Sequence, residues 1–445
     1  MPQEKFRFRV TDGWLRDVAS EPTPGQKWPC IRWDDQLLSD QKRFIDVQAA
    51  LAVEYNLNWG YFVNRNWPVP FKNVIDADRD RRLRTFVEEA HSRGVKVLSG
   101  MGVYSWGFDE VVAKVPATSC GKPNSHGYVV MCAASDAAWE WQRRVLDFHM
   151  DSKWGLDGIS MQSADNGRCE CDACSKLTPA QYHARILIRT ADYVRRQRPD
   201  WTIGQACWGL EVDDPGQWDD LVEISRHVDY MVEVAENTMR KGLRRELVAR
   251  LKCAFGSVGG PFVEPPQHWS RARWFLPTGL SSARALKKLW DDGGRACEYF
   301  FRIFANPSDE VSWRSGARIL SSPETSPAES LKEAVAAVYG VTGSPADDLA
   351  AWYERAEEAY FSRADFAQGD ADLSLEPLIW HEKPAEAGPA VYLSTRMTSA
   401  ARSDYAADLR RLKVEIAAMK PMRENVKRRT ITCIDGALAD IAAIQ

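Results

Sequence analysis

Three cysteines within six residues, Cys169, Cys171 and Cys174, form the densest group of potential ligands in the chain. Zinc favours thiolates at this spacing and takes four ligands. Cys120 and Cys132, with His126 between them, lie upstream in a separate loop, and either could complete a Cys₄ set. The set expected is Cys132, Cys169, Cys171 and Cys174, holding a structural zinc. Three free thiols in a tight turn, or a local disulfide, are the alternatives. The sequence holds no HxH or HExxH pattern that would offer an open, catalytic zinc.

Carboxylates at the ends of apolar runs are the second group. Asp165 closes the run GISMQSAD and is followed by the turn signal Asn166-Gly167, so it either caps that turn or faces a site. Glu233 stands inside the apolar run VDYMVEV, where an unpaired buried charge is costly. It must therefore meet an ion-pair partner, a ligand or water. Glu264 in GGPFVEPP and Glu211 in CWGLEV lie in loops and are further candidates, with Glu236 a weaker one. Glu298 reads as paired internally, with Arg302 in reach. Two carboxylates facing across a sugar can protonate a leaving group and activate a nucleophile. Asp165 and Glu233 are the preferred pair, with Glu264 the third candidate.

The elements that must position these groups alternate regularly. Apolar runs at 6–10, 57–63, 95–103, 156–164, 201–208, 228–234, 252–258 and 295–304 read as strands, and helical patterns fill most of the gaps between them. Alternation of this kind implies parallel strands, and eight repeats within about 300 residues suit a closed (β/α)₈ barrel. The barrel is expected over 1–320. After the turn-rich SSPETSPAES, residues 325–445 are expected to form an all-helical C-terminal domain, with 366–392 irregular. Active sites of such barrels lie at the C-terminal ends of the strands. Polar and aromatic residues there make the expected substrate contacts: Asn64, Arg65, Trp106, Gln162, Asn166, Trp208 and Trp269, with Trp67, Tyr104 and Arg273 nearby. His149 and His183 fall on helices and are given no role.

The chain has 445 residues, 58 Lys+Arg against 62 Asp+Glu, and a net charge of −4. That balance argues against a nucleic-acid binder, which usually carries a basic excess. A hydrophobic fraction of 44% argues against disorder. No window supplies the roughly 20 apolar residues of a membrane span. No phosphate-cradling glycine motif opens a helix, which weighs against a nucleotide cofactor. Eighteen tryptophans, many beside turns, fit either large cores or a site that stacks flat sugar faces. The N-terminal MPQEKFRFRV shows no signal peptide, and scattered cysteines suit a reducing, cytoplasmic setting. An oligomer is compatible with all of this.

The stretch from Met131 to Leu177, with Cys132, Asp165 to Gly167 and the CxCxxC, resembles bacterial barrel-type glycoside hydrolases of a family that includes endo-β-N-acetylglucosaminidases. RTADYVRRQRPDWTIGQACW is similar to that family's helix and fifth strand, and AVAAVYG is distantly like α-glucuronidases. This chain has Asp165-Asn166-Gly167 where the family pattern has Asp-Gly directly. The resemblance implies hydrolysis of a glycosidic bond in an oligo- or polysaccharide. With an N-acetylated sugar, the substrate's own carbonyl could be the nucleophile, oriented by Asp165 and Asn166. The rival expectation is a non-catalytic carbohydrate-binding barrel with a structural zinc loop; a metal-dependent hydrolase of another class is a third.

Overall fold

The computed structural model describes residues 4–14, 34–63, 66–163, 166–234, 242–258, 275, 277–300, 304, 306–363 and 397–443. Eight parallel strands close into a barrel: β1 (Phe8–Trp14), β2 (Tyr55–Trp59), β3 (Lys96–Gly102), β4 (Gly158–Gln162), β5 (Thr202–Ala206), β6 (Tyr230–Val234), β7 (Ala254–Val258) and β8 (Ala296–Phe300). They pair in chain order, and β1 returns to β8. Each strand overlaps one of the apolar runs, as it must when both faces are buried, but β2 begins two residues before its expected run 57–63 and ends at Trp59, so residues 60–63 lie beyond the strand. β1 runs four residues beyond Val10, which brings Asp12 into the strand.

Strand alternation sorts the side chains into two layers. Phe8, Val10, Tyr55, Leu57, Trp59, Leu98, Ala206, Tyr230, Val232, Ala254 and Ala296 pack together in the lumen. The alternate residues, such as Val97, Ile159, Ile203, Met231, Phe255 and Cys297, pack against the surrounding helices. Those helices are α1 (Asp35–Ala50), α2 (Ala77–Ser92), α3 (Asp109–Lys114), α4 (Asp136–Met150), α5 (Pro179–Gln197), α6 (Trp218–Ile224), α7 (Arg245–Arg250) and α8 (Gly279–Asp291). Their starts follow local rules. Ser135 caps α4, and Thr178 with Gln181 forms a capping box ahead of Pro179 on α5.

Among the described residues, five helices follow the barrel strands: α9 (Pro307–Ser321), α10 (Pro327–Tyr339), α11 (Ser344–Phe361), α12 (Ser399–Ala418) and α13 (Glu424–Ala442). The last four share a second core built on Trp352, Tyr339, Tyr353 and Tyr360, which also takes in Leu280 of α8 and Val311 of α9, while α9 otherwise packs on the barrel core through Trp313, Ala317, Ile319 and Leu320. Buried Glu357 of α11 accepts hydrogen bonds from the Leu280 and Ser281 amides, 3.0 and 2.7 Å away, and so caps the start of α8. This bond ties the helical part to the barrel. Segment 366–392, expected to be irregular, lies outside the described residues.

Candidate functional site

A carboxyl group lies inside the barrel. Glu298, on the lumen face of β8 two residues beyond Ala296, is completely buried. Its Oε1 accepts hydrogen bonds from Ser160 Oγ of β4 and Tyr230 OH of β6, each at 2.7 Å. Its Oε2 has no hydrogen-bond partner. Burial pushes the carboxyl up to about 7, and the two hydroxyls only partly oppose the shift. The room for Tyr230 comes from Gly204, where a methyl group would overlap the phenol ring. Asp12, on the same face of β1 as Val10, is also buried, and its negative charge reaches Tyr230. Sequence reasoning missed Asp12. The available signal was the one that singled out Glu233, a carboxylate inside a buried strand, had β1 been extended past Val10.

Above this layer the barrel mouth is aromatic and polar. Trp59 meets Trp106 edge to face, with ring centres 5.9 Å apart. The Trp106 indole donates to Gln162 Oε1 at 3.2 Å. Half-buried Trp106 and Trp208 both pack against the lumen cluster from the C-terminal side. Flat apolar faces beside a fixed amide form a surface suited to a sugar ring.

The loop after β4 is stitched to the two loops that flank α3. Asn166 N donates to Ser105 Oγ at 3.1 Å, and Asn124 Nδ2 donates to the carbonyls of Asn166 and Arg168 at 2.8 and 3.1 Å. Gly167 turns the chain with φ of 75°. Beyond it, Cys169, Cys171 and Cys174 meet Cys132, with all four sulfurs within 4.8 Å of one another. Cys132 Sγ lies 3.7 Å from Cys171 Sγ and 3.8 Å from Cys174 Sγ. Those separations exclude disulfides, whose sulfurs sit about 2 Å apart. A tetrahedral zinc with Zn–S bonds of about 2.3 Å would hold its sulfurs roughly 3.8 Å apart, so the donor set and its spacing fit that ion. Cys132 is pulled down to about 5, chiefly by the Cys169 thiol donating to it, while burial pushes Cys174 up to about 12. Cys120, the other candidate fourth ligand, reaches Cys169 alone, at 3.8 Å.

Glycoside hydrolases are among the solved structures that share this barrel. A GH138 enzyme targeting pectin rhamnogalacturonan II superposes over 99% of this chain with a TM-score of 0.59 at 11% identity. A mutant of the Thermobaculum terrenum O-GlcNAc hydrolase covers 96% of this chain and is itself covered over 80%, with a TM-score of 0.50 at 10% identity. CpGH84B covers 99% of this chain and is covered over 68%, with a TM-score of 0.50 at 8% identity. The chain spans 57% of the length of the GH138 enzyme. No protein-family model and no curated protein matches the sequence.

Within this barrel the residues singled out from sequence divide into three groups. Trp106, Gln162, Asn166 and Trp208 come together at the C-terminal face, and Cys132 joins the CxCxxC as expected. Glu233 is buried, but it follows lumen-facing Val232 in β6 and therefore points to the helix layer, where its charge acts on Cys207. Trp67 is core, stacked on Phe71 with ring centres 5.6 Å apart, and Tyr104 is buried. Asn64, Arg65, Asp165, Glu236, Glu264, Trp269, Arg273 and Arg302 lie outside the described residues. Glu298, expected to form an internal ion pair, is held by two hydroxyl groups instead.

On the β4–β5 side of the same face, the loops 125–126, 167–170 and 209–214 enclose a cleft of about 780 Å³. Buried His183 of α5 lines it and is held neutral, its pKa lowered to about 3 by burial. Among the described residues, no helix is long and apolar enough to cross a membrane.

Proposed function

We propose that this protein is a glycoside hydrolase that cleaves a glycosidic bond in an oligo- or polysaccharide with carboxyl groups at the C-terminal face of its barrel. The observation that carries the reading is Glu298. One of its oxygens is fixed by two hydroxyls, the other is unpartnered, and the group sits beneath an aromatic mouth with a pKa near neutrality. A carboxyl that keeps its proton up to about pH 7 suits a general acid, which must protonate the leaving oxygen. Asp165, two residues past buried Ser163 and next to anchored Asn166, is the partner carboxylate in this reading. Glu233 and Glu264 are the alternatives to it. Trp106, Trp208 and Gln162 would hold the sugar, with Asn64, Arg65, Asn166 and Trp269 as further contacts.

The cysteine tetrad, in the same reading, binds a structural zinc. Four thiolates saturate the ion, so it takes no part in the chemistry; its role is to fix the loop that follows Asp165. Free thiols in this number suit a reducing compartment.

The test is a hydrolysis screen on aryl glycosides and polysaccharides, with Glu298→Gln, Asp165→Asn and Glu233→Gln run in parallel. Turnover lost with sugar binding kept in Glu298→Gln or Asp165→Asn is the expected result. Binding without turnover in the unaltered chain would replace the hydrolase with a carbohydrate-binding barrel.

A further inference from the structure

The cleft between the β4 and β5 loops is lined by four carboxylates, Arg168 and two histidines, with no Trp, Tyr or Phe among the described residues that line it. Glu170 accepts from the Ser125 amide and hydroxyl at 2.9 and 2.6 Å. Glu211 accepts from Gln217 Nε2 at 2.7 Å, and Asp214 accepts from Gly216 N and Gln217 Nε2, both at 2.9 Å. Every one of these donors is neutral. Glu211 and Asp214 are thus oriented by neutral donors, in contrast to neighbouring Asp213, which pairs with Arg244, and to Glu170, whose charge is partly offset by the Arg168 guanidinium that also lines the cleft. Facing the same space is His183, 2% exposed, whose Nδ1 has no hydrogen-bond partner. A buried ring nitrogen left unsatisfied costs free energy that a bound group would recover.

We propose that this cleft is a subsite for an ammonium-bearing saccharide, an amino sugar whose positive charge meets Glu211 and Asp214 while the ring reaches toward His183. The inference rests on the glycosidase reading, because the cleft continues from the proposed mouth: Gly209 follows Trp208, and Gly167 follows Asn166. Its volume lies within the range of small-molecule sites, about 300–1,000 Å³. A bare divalent cation fits less well. Among the described residues, the cysteine tetrad is the set whose ligand atoms converge closely enough to cage an ion. Without stacking surfaces, recognition here depends on charge, and a group that only donates hydrogen bonds complements a wall of acceptors.

The experiment is calorimetric titration of the full chain at low ionic strength with a fully deacetylated chitosan oligosaccharide and with its N-acetylated counterpart of equal length. The expected result is about tenfold tighter binding of the cationic oligomer, with the preference reduced to near parity by Glu211→Gln and by Asp214→Asn. Equal affinity, preference for the acetylated oligomer, or no binding of either overturns the proposal. A preference that survives both substitutions overturns it too, because the charge recognised is then elsewhere. Binding is read without turnover. A chain that shows the preference and hydrolyses nothing keeps the subsite and loses the glycosidase reading; hydrolysis without the preference does the reverse.

Discussion

Tyr230 and Glu298 meet across the lumen: the phenol of β6 donates to the carboxyl of β8 at 2.7 Å, over a strand that separates them in the sheet. The contact fixes the carboxyl's orientation while burial sets its acidity, and the two effects have separable consequences. The folded chain holds the Glu298 proton up to about pH 7, whereas the unfolded chain releases it near the ordinary value of 4.5. Between those limits the folded state binds more protons, so stability falls as pH rises through the window, by no more than about 3 kcal/mol. Denaturant unfolding measured across this range should show that decline in the unaltered chain and a flatter profile in Glu298→Gln. Identical slopes in both would remove the titration from Glu298.

The same group predicts a catalytic limb. If Glu298 is the general acid, kcat/KM should fall above pH about 7, following loss of its proton. Glu298→Gln should lower kcat at least about 100-fold and abolish that limb. Ser160→Ala removes one of the two hydroxyls holding Oε1, so the limb should move to lower-activity, higher-pH behaviour while folding is kept. A pH profile of Ser160→Ala superimposable on that of the unaltered chain would show that the anchoring bond does not tune the acid.

The barrel was legible in the sequence because strands buried on both sides read as uninterrupted apolar runs, and the thiol cluster was legible because its spacing is itself the signal. The phase of a strand was not. In Tyr230-Met231-Val232-Glu233 both alternating sets are apolar enough to face either layer, so the run does not say which side Glu233 takes. The phase is fixed by Gly204 on the neighbouring strand, which makes room for Tyr230 in the lumen, and by Glu298, which receives its hydrogen bond. Helix α9 was missed for a related reason. It is buried on nearly all sides, including Ser308, Ser312 and Ser315, so no polar stripe marks a helical period.

The thiol tetrad should carry one zinc per chain by elemental analysis. Removing it with a strong chelator, or replacing Cys174 with serine, should lower the melting temperature. At free zinc a thousandfold above Kd the stabilisation lost is about 4 kcal/mol. Hydrogen exchange should rise first in 118–132 and 166–175, the two loops the sulfurs join. Unchanged exchange in those loops after complete metal loss would show that Asn124 and Tyr182 hold them without the ion.

Two tryptophans separate recognition from folding. Trp154 is fully buried among Phe62 and Phe148 and donates to the Phe148 carbonyl at 2.8 Å. Trp154→Ala should cost about 3–5 kcal/mol of stability. Half-buried Trp106 at the mouth should behave differently. Trp106→Ala should weaken sugar binding about tenfold, a loss of roughly 1.4 kcal/mol, with a much smaller change in unfolding free energy. If Trp106→Ala destabilises as much as Trp154→Ala and leaves affinity intact, the indole is core and the mouth is not its place of work.

Glu233 provides the sharpest choice between a reading from sequence and one from geometry. Strand alternation after lumen-facing Val232 assigns Glu233 to the helix-facing side of β6, and its charge acts on Cys207. Glu233→Gln preserves shape and removes the charge, so it should change kcat by less than about threefold while altering stability by the one or two kcal/mol typical of a buried polar change. Glu298→Gln run beside it should do the opposite, sparing the fold and removing turnover. Loss of turnover in Glu233→Gln at unchanged stability would return the catalytic role to β6 and require the strand's end to open toward the substrate. Parallel measurement of kcat and unfolding free energy in the two variants therefore decides which carboxylate faces the sugar.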